Sequence, residues 1–190
     1  MMESFDALKV ISKYRGDALV VATMCTHQEW PVVSTRRELD LPFSVMGKAS
    51  SLALGLALAR PERKVIVFDG DGSLLMNLGT LVTITSVAPR NLIYFLICNG
   101  VYRSCSPGYD CPGVGKVSFT GFAKSAGFPN VYEFGDTDSL DKGMGAIMKQ
   151  DGSTFVNLIC APNREYPSYP YVEPREYVDD FVKTVQSLPS

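Results

Sequence analysis

The run VFDGDGSLLMNLGTL, Val67 to Leu81, closes an apolar stretch with two carboxylates, Asp69 and Asp71, and two glycines, Gly70 and Gly72. A buried strand has no use for acid, so these side chains point to something bound where the strand ends. In an open α/β sheet, ligands sit beyond the carboxyl ends of the strands. A helix that starts there favours an anion such as a phosphate, and glycine lets the backbone come close to it. A carboxylate beside a phosphate repels it unless a cation lies between. The turn from Asp69 to Ser73 therefore predicts a divalent metal bridging protein to phosphate. Mg2+ suits such a place, because it takes one or two protein oxygens plus phosphate oxygens.

The second protein oxygen is expected from the next strand end. Asn99, 28 residues after Asp71, closes the stretch LICNGVY. Either residue alone reads as an ordinary turn or capping residue. Together, on successive strand ends and with glycine on both sides of Asp71, they read as half of a hard-metal site. Two other phosphate motifs are missing. The chain has no G-x-x-x-x-G-K-[ST], and no G-x-G-x-x-G after a strand, which speaks against a P-loop and against a nicotinamide or flavin fold.

The elements that must hold these residues are legible as alternating strands and helices. KVIVFD (64–69) and NLIYFLIC (91–98) are continuous apolar runs of the kind found in central parallel strands. ALVVAT (18–23) and STFVNLICA (153–161) read as further strands. Helices are expected over 3–13, over 47–59, and as one crossover over 73–87. Two more are expected in TGFAKSAG and DSLDKGMGAIMKQ, and a last one from about Arg175. This alternation predicts an α/β fold, a doubly wound and mainly parallel sheet with helices on both faces. The 190 residues suit one domain over 1–190, with 161–190 as a Pro- and Tyr-rich extension that runs extended to about residue 177.

Composition narrows the function classes. The net charge of −2 gives no electrostatic reason to expect a nucleic acid or an anionic membrane. No apolar run approaches a membrane span, and the start MMESFDALKV lacks the form of a secretion signal. Five scattered cysteines, none in a CxxC pair, suit reduced thiols in a cytoplasm.

Gly70-Asp71-Gly72-Ser73 followed by Asn99-Gly100 resembles the thiamine diphosphate signature, a GDG followed downstream by NN. GDGSLLMNLGTL looks especially like the small subunit of sulfopyruvate decarboxylase and the matching half of phosphonopyruvate decarboxylase. VMGKASSLALGLALA is similar to MGLASSIGLGLAL of that group, and the likeness covers most of residues 5–160. The resemblance implies the diphosphate-binding type of thiamine diphosphate fold. It implies that Asp71 and Asn99 bind Mg2+ with the backbone carbonyl of Val101, and that Gly72 and Ser73, with Gly70 in the same turn, meet the diphosphate. Met46 would be the apolar wedge under the bent cofactor, and the Ser44 carbonyl would accept from its aminopyrimidine. THQEW (26–30) resembles QHQMW of acetolactate-synthase relatives, which would put Thr26, His27 and Gln28 near the diphosphate. Met46 can also be plain core, and His27, the single histidine, a structural group.

Two departures stand out. Cys98 replaces the first Asn of NN, and GVYRSCSPGYDCPGVGKVSF replaces a small Ser/Thr/Gly-rich loop. Arg103 in that loop either pairs with an anionic substrate or is a solvated surface charge. Thiamine diphosphate enzymes also need a pyrimidine-binding domain that supplies an activating glutamate, and no residue here suggests itself for that role. The expectation is one subunit of a hetero-oligomer that decarboxylates a small 2-oxo acid together with a pyrimidine-binding subunit. The 47–59 helix and the Tyr/Pro tail are candidate contact surfaces. The alternatives are a small subunit of a 2-oxoacid oxidoreductase or carboligase, and a non-catalytic nucleotide-binding module.

Overall fold

The computed structural model describes residues 1–103, 105, 108–164 and 174–189. Among them, six strands form one sheet, every pairing parallel, in the order β2-β1-β3-β4-β8-β7. The strands are β1 (Leu19–Thr23), β2 (Asp40–Phe43), β3 (Val65–Gly70), β4 (Leu92–Cys98), β7 (Asn130–Phe134) and β8 (Thr154–Ile159). A separate two-stranded hairpin joins β5 (Val101–Tyr102) to β6 (Tyr109–Asp110).

The continuous apolar runs follow from burial on both faces. Along β3, Val65 and Val67 face one core while Ile66 and Phe68 face the other. Along β4, Leu92, Tyr94 and Leu96 alternate in the same way with Ile93, Phe95 and Ile97. The first core is closed by α3 (Ala49–Ala59), α5 (Thr80–Val87), α6 (Phe119–Ala126) and Phe181 of α8 (Pro174–Ser187). The second is closed by α1 (Ser4–Ser12), Trp30 of α2 (Cys25–Val33) and α7 (Thr137–Ile147). Alternating side chains thus build a layer of helix on each side of the sheet. Fully burying each large apolar side chain contributes about 1.5–3 kcal/mol.

The structure corrects the sequence reading at 73–87. One crossover helix is expected there, but two form: α4 (Asp71–Leu75), which begins at Asp71 itself, and α5. The break at residues 76–79 lets α4 end beside the strand tips while α5 turns down onto the sheet. The elements without a counterpart in that reading include α2, a short 3-10 helix at Arg37–Leu39, β2, the β5–β6 hairpin and β7. The final helix appears as α8, and Arg60 donates to the carbonyls of Val185, Leu188 and Pro189 to fix its end. The expected extended tail lies, over 165–173, outside the described residues.

Candidate functional site

The chain leaves β1 toward β2 on one side and β3 toward β4 on the other, so the strand order reverses between β1 and β3. A crevice at such a switch point is the usual ligand site of an open α/β sheet. Here it is a cleft lined by Thr23, Met24 and Cys25 after β1, by Gly70 to Ser73 after β3, and by Asn99, Val101 and Arg103 after β4. Met24 holds φ at 56°, a left-handed value that costs a non-glycine residue about 1–3 kcal/mol. Its carbonyl accepts from the His27 main-chain N–H at 3.1 Å, which locks the turn into α2.

The two acids of the turn divide their roles. Asp69, 1% exposed, accepts from the Tyr94 hydroxyl at 2.6 Å and from Gly70 N–H at 2.9 Å. The Ser73 hydroxyl bonds to it as well. Asp69 is therefore an internal brace between β3 and β4. Asp71 lines the cleft. Its Oδ2 accepts from Gly100 N–H at 2.6 Å, and its Oδ1 accepts from Gly72 N–H at 2.8 Å and from the Cys111 thiol at 3.5 Å. Gly100, at φ +73°, takes the left-handed turn that aims its N–H at Asp71. Burial raises the Asp71 pKa, opposed by these hydrogen bonds. Burial likewise pushes the Cys98 and Cys111 thiols up to about 12, so they stay protonated beside the acid.

Met46 is carried on a loop latched to the same turn. Gly47 N–H donates to Ser73 Oγ at 2.9 Å, and Asn77 Nδ2 donates to the Gly47 carbonyl at 3.0 Å. Gly47 sits at φ +69°, and a Cβ there would lie 3.2 Å from Met76 Cβ. Tyr102 covers the turn on another side: a Cβ on Gly72 would lie 2.2 Å from its ring. In the same cleft, Arg103 Nη1 meets Glu29 Oε1 at 3.0 Å, with side chains only 6% and 2% exposed. Ser4 Oγ touches both, at 3.3 Å from Arg103 Nη1 and 3.3 Å from Glu29 Oε2. Arg103 is thus a buried, paired cation, which removes the solvated-charge alternative.

Over residues 21–158 the chain matches the family described as "Thiamine pyrophosphate enzyme, C-terminal TPP binding domain". It belongs to that family. It is 32% identical to the sulfopyruvate decarboxylase subunit beta of Methanothermobacter thermautotrophicus, over 98% of this chain and 97% of the relative. It is 33% identical to the phosphonopyruvate decarboxylase of Streptomyces hygroscopicus, over 86% of this chain and 40% of that longer relative. A solved thiamin diphosphate-dependent enzyme structure from Mycobacterium smegmatis shares the fold, with a TM-score of 0.69 and 21% identity over 85% of this chain and 32% of that one. Ser4 on α1, which also lines the cleft, lies outside the matched range.

Within this thiamine pyrophosphate enzyme domain, the cleft brings together Thr26, Met46, Gly70, Asp71, Gly72, Ser73, Asn99, Val101 and Arg103 of the residues expected from sequence. Ser44, which is exposed, and His27 are not among its lining residues. His27 is 4% exposed, and its Nδ1 donates to the Met24 carbonyl, leaving a buried Nε2 without a hydrogen-bond partner. Asp71, Asn99 and Val101 all line the cleft, where a carboxylate, an amide oxygen and a main-chain carbonyl are oxygen donors of the hard type, and Asn99 Oδ1 accepts from the Val101 N–H at 3.1 Å. That chemistry suits Mg2+. Thr23 Oγ1, buried in the cleft wall with no partner, is a further polar atom suited to a ligand. No helix of the described residues is long and apolar enough to cross a membrane.

Sequence reasoning missed Met24, Cys25, Glu29 and Tyr102. The signal for Glu29 was present: it stands where the resembling stretch QHQMW carries Met. Tyr102 and Met24 act through a ring position and a dihedral angle, which the sequence does not display.

Proposed function

We propose that this chain is the diphosphate- and Mg2+-binding subunit of a thiamine diphosphate-dependent decarboxylase. Its substrate is a small 2-oxo acid of the sulfopyruvate or phosphonopyruvate kind, and it works with a separate pyrimidine-binding subunit. The observation that carries this reading is the convergence of Asp71, Asn99 and Val101 with the Gly70–Ser73 turn and the latched Met46 at one switch point. The near-complete coverage of a relative named as a beta subunit supports the two-subunit arrangement.

Asp71, Asn99 and the Val101 carbonyl hold the Mg2+. Asp71 is the one charged ligand among them, and the N–H groups of Gly72 and Gly100 fix its carboxylate. The Ser73 hydroxyl is already tied to Asp69 and Gly47, so Ser73 offers a diphosphate its main-chain N–H, beside Gly72. Met46 supplies the apolar prop and Thr26 the wall beside the α2 turn, while Ser44 and His27 stand outside the cleft lining. Arg103 faces the acidic end of the substrate. When bound, thiamine diphosphate serves as the electron sink for the decarboxylated carbon. The activating glutamate is expected from the partner.

Calorimetry on the chain co-expressed with its partner tests this reading. Mg2+-dependent binding of thiamine diphosphate, with release of CO2 from a 2-oxo acid, is expected for the parent and lost in Asp71→Ala. Binding by Asp71→Ala as tight as by the parent would refute it, and so would full turnover by this chain without a partner.

A further inference from the structure

Resting on the reading above, the Glu29–Arg103 pair decides which anion the cleft accepts. Among the described residues that line the cleft, Arg103 is the one basic side chain; Glu29 and Asp71 are the acids. Asp71 belongs to the metal side. Arg103 and Glu29 lie 3.0 Å apart in the cleft wall, 74 residues apart in sequence, and Ser4 ties both down. Exchanging such a pair for apolar side chains of similar volume is often neutral or stabilising, so its presence asks for another reason.

A guanidinium in a cleft wall is a recognition group for an anionic oxygen fork. Unopposed, it would reward a dianion more than a monoanion. Glu29 beside it changes that balance, because a second negative charge arriving at Arg103 meets the buried Glu29 carboxylate at short range and low dielectric. A sulfonate brings one charge at any physiological pH. A phosphonate, like a phosphate ester, carries close to two near neutrality. We infer that Glu29 is a positioning and charge-limiting residue that holds Arg103 in place and makes the cleft selective for a 2-oxo acid with a distal monoanion, a sulfonate, over one with a distal phosphonate.

The test uses the chain co-expressed with its partner and loaded with thiamine diphosphate and Mg2+, and compares kcat/KM for sulfopyruvate and phosphonopyruvate. The parent is expected to favour sulfopyruvate by about tenfold or more, the scale of a like-charge penalty in a buried site. Glu29→Gln keeps the shape and the contact to Arg103 and removes the charge, so the ratio should fall toward one, mainly through a lower KM for phosphonopyruvate. Arg103→Gln should raise KM for both substrates far more than for pyruvate. A parent that prefers phosphonopyruvate, or a Glu29→Gln variant that keeps the parental ratio, overturns the inference. The parental ratio decides the matter alone if Glu29→Gln does not fold. A complex that decarboxylates none of the three acids fails the proposed function instead, and that result is distinct from either selectivity outcome.

Discussion

Among the described residues two arginine–carboxylate pairs are buried, and they match in distance and in burial. Arg15 Nη2 lies 3.0 Å from Asp40 Oδ1 with side chains 2% and 3% exposed, and Arg103 Nη1 lies 3.0 Å from Glu29 Oε1 with side chains 6% and 2% exposed. They differ in where they sit. Arg15 precedes β1 and Asp40 opens β2, opposite Val20, so this pair marks the end where the parallel strands begin. Arg15 also donates to Ser34 Oγ and to the carbonyls of Arg36 and Ala18, which makes it the knot of the β1–β2 connection. Glu29 and Arg103 follow the other ends of the strands and line a cleft. Distance and burial do not tell a framework contact from a recognition contact. The end of the sheet on which it lies does.

Removing one member is the largest perturbation. Arg15→Ala leaves Asp40 buried without its cation and should cost about 3–5 kcal/mol, read as a lower urea midpoint, while turnover per folded molecule is unchanged. A stable Arg15→Ala with impaired turnover would erase the contrast between the two ends. Paired apolar exchanges sharpen it. Arg15→Met with Asp40→Leu should change stability by no more than about 1–4 kcal/mol, in the stabilising direction or not at all, with turnover kept. Glu29→Met with Arg103→Met should be equally mild in thermal melts and should lose its preference for an anionic 2-oxo acid.

The smallest effect is in pH dependence. Burial raises the pKa of Glu29, with Arg103 and Ser4 opposing, and raises that of Asp40, with Arg15 opposing. A raised carboxylate takes up its proton more readily in the folded state. Its contribution is therefore fully present below the ordinary carboxylate range and is lost as pH rises through the raised value. Melting curves should show the margin of the parent over Glu29→Gln shrinking as pH rises across that window. A margin that grows would mean that Arg103 outweighs burial at this site.

The parts legible in sequence were those with one dominant physical cause. β3 and β4 are apolar throughout because both faces are covered, and the Asp71 and Asn99 turns announce themselves by chemistry that no buried strand needs. The unread parts mix causes. β2 is a four-residue edge strand, DLPF, with a proline in it, and β7 is an edge strand whose residues are mostly half-buried. α2 buries Thr26, His27, Gln28 and Glu29 on a helix with Pro31 inside, so it shows no apolar stripe to read. The Glu29–Arg103 contact joins two residues that each look like surface charges until the fold closes 74 residues of chain between them.

The order of strands in the sheet also sets when the molecule becomes competent during its own synthesis. Every described residue lining the cleft falls within the first 103 of the chain, yet β4, whose end precedes Asn99, is flanked on one side by β8 at residues 154–159. At translation rates of about 5–20 residues per second, the edge of β4 waits on the order of several seconds for its neighbour. Through that interval the Asp71 and Asn99 turns would stand beside a β4 edge that still lacks its partner strand. Assembly with another chain is therefore best timed after β8 has left the ribosome and slotted between β4 and β7.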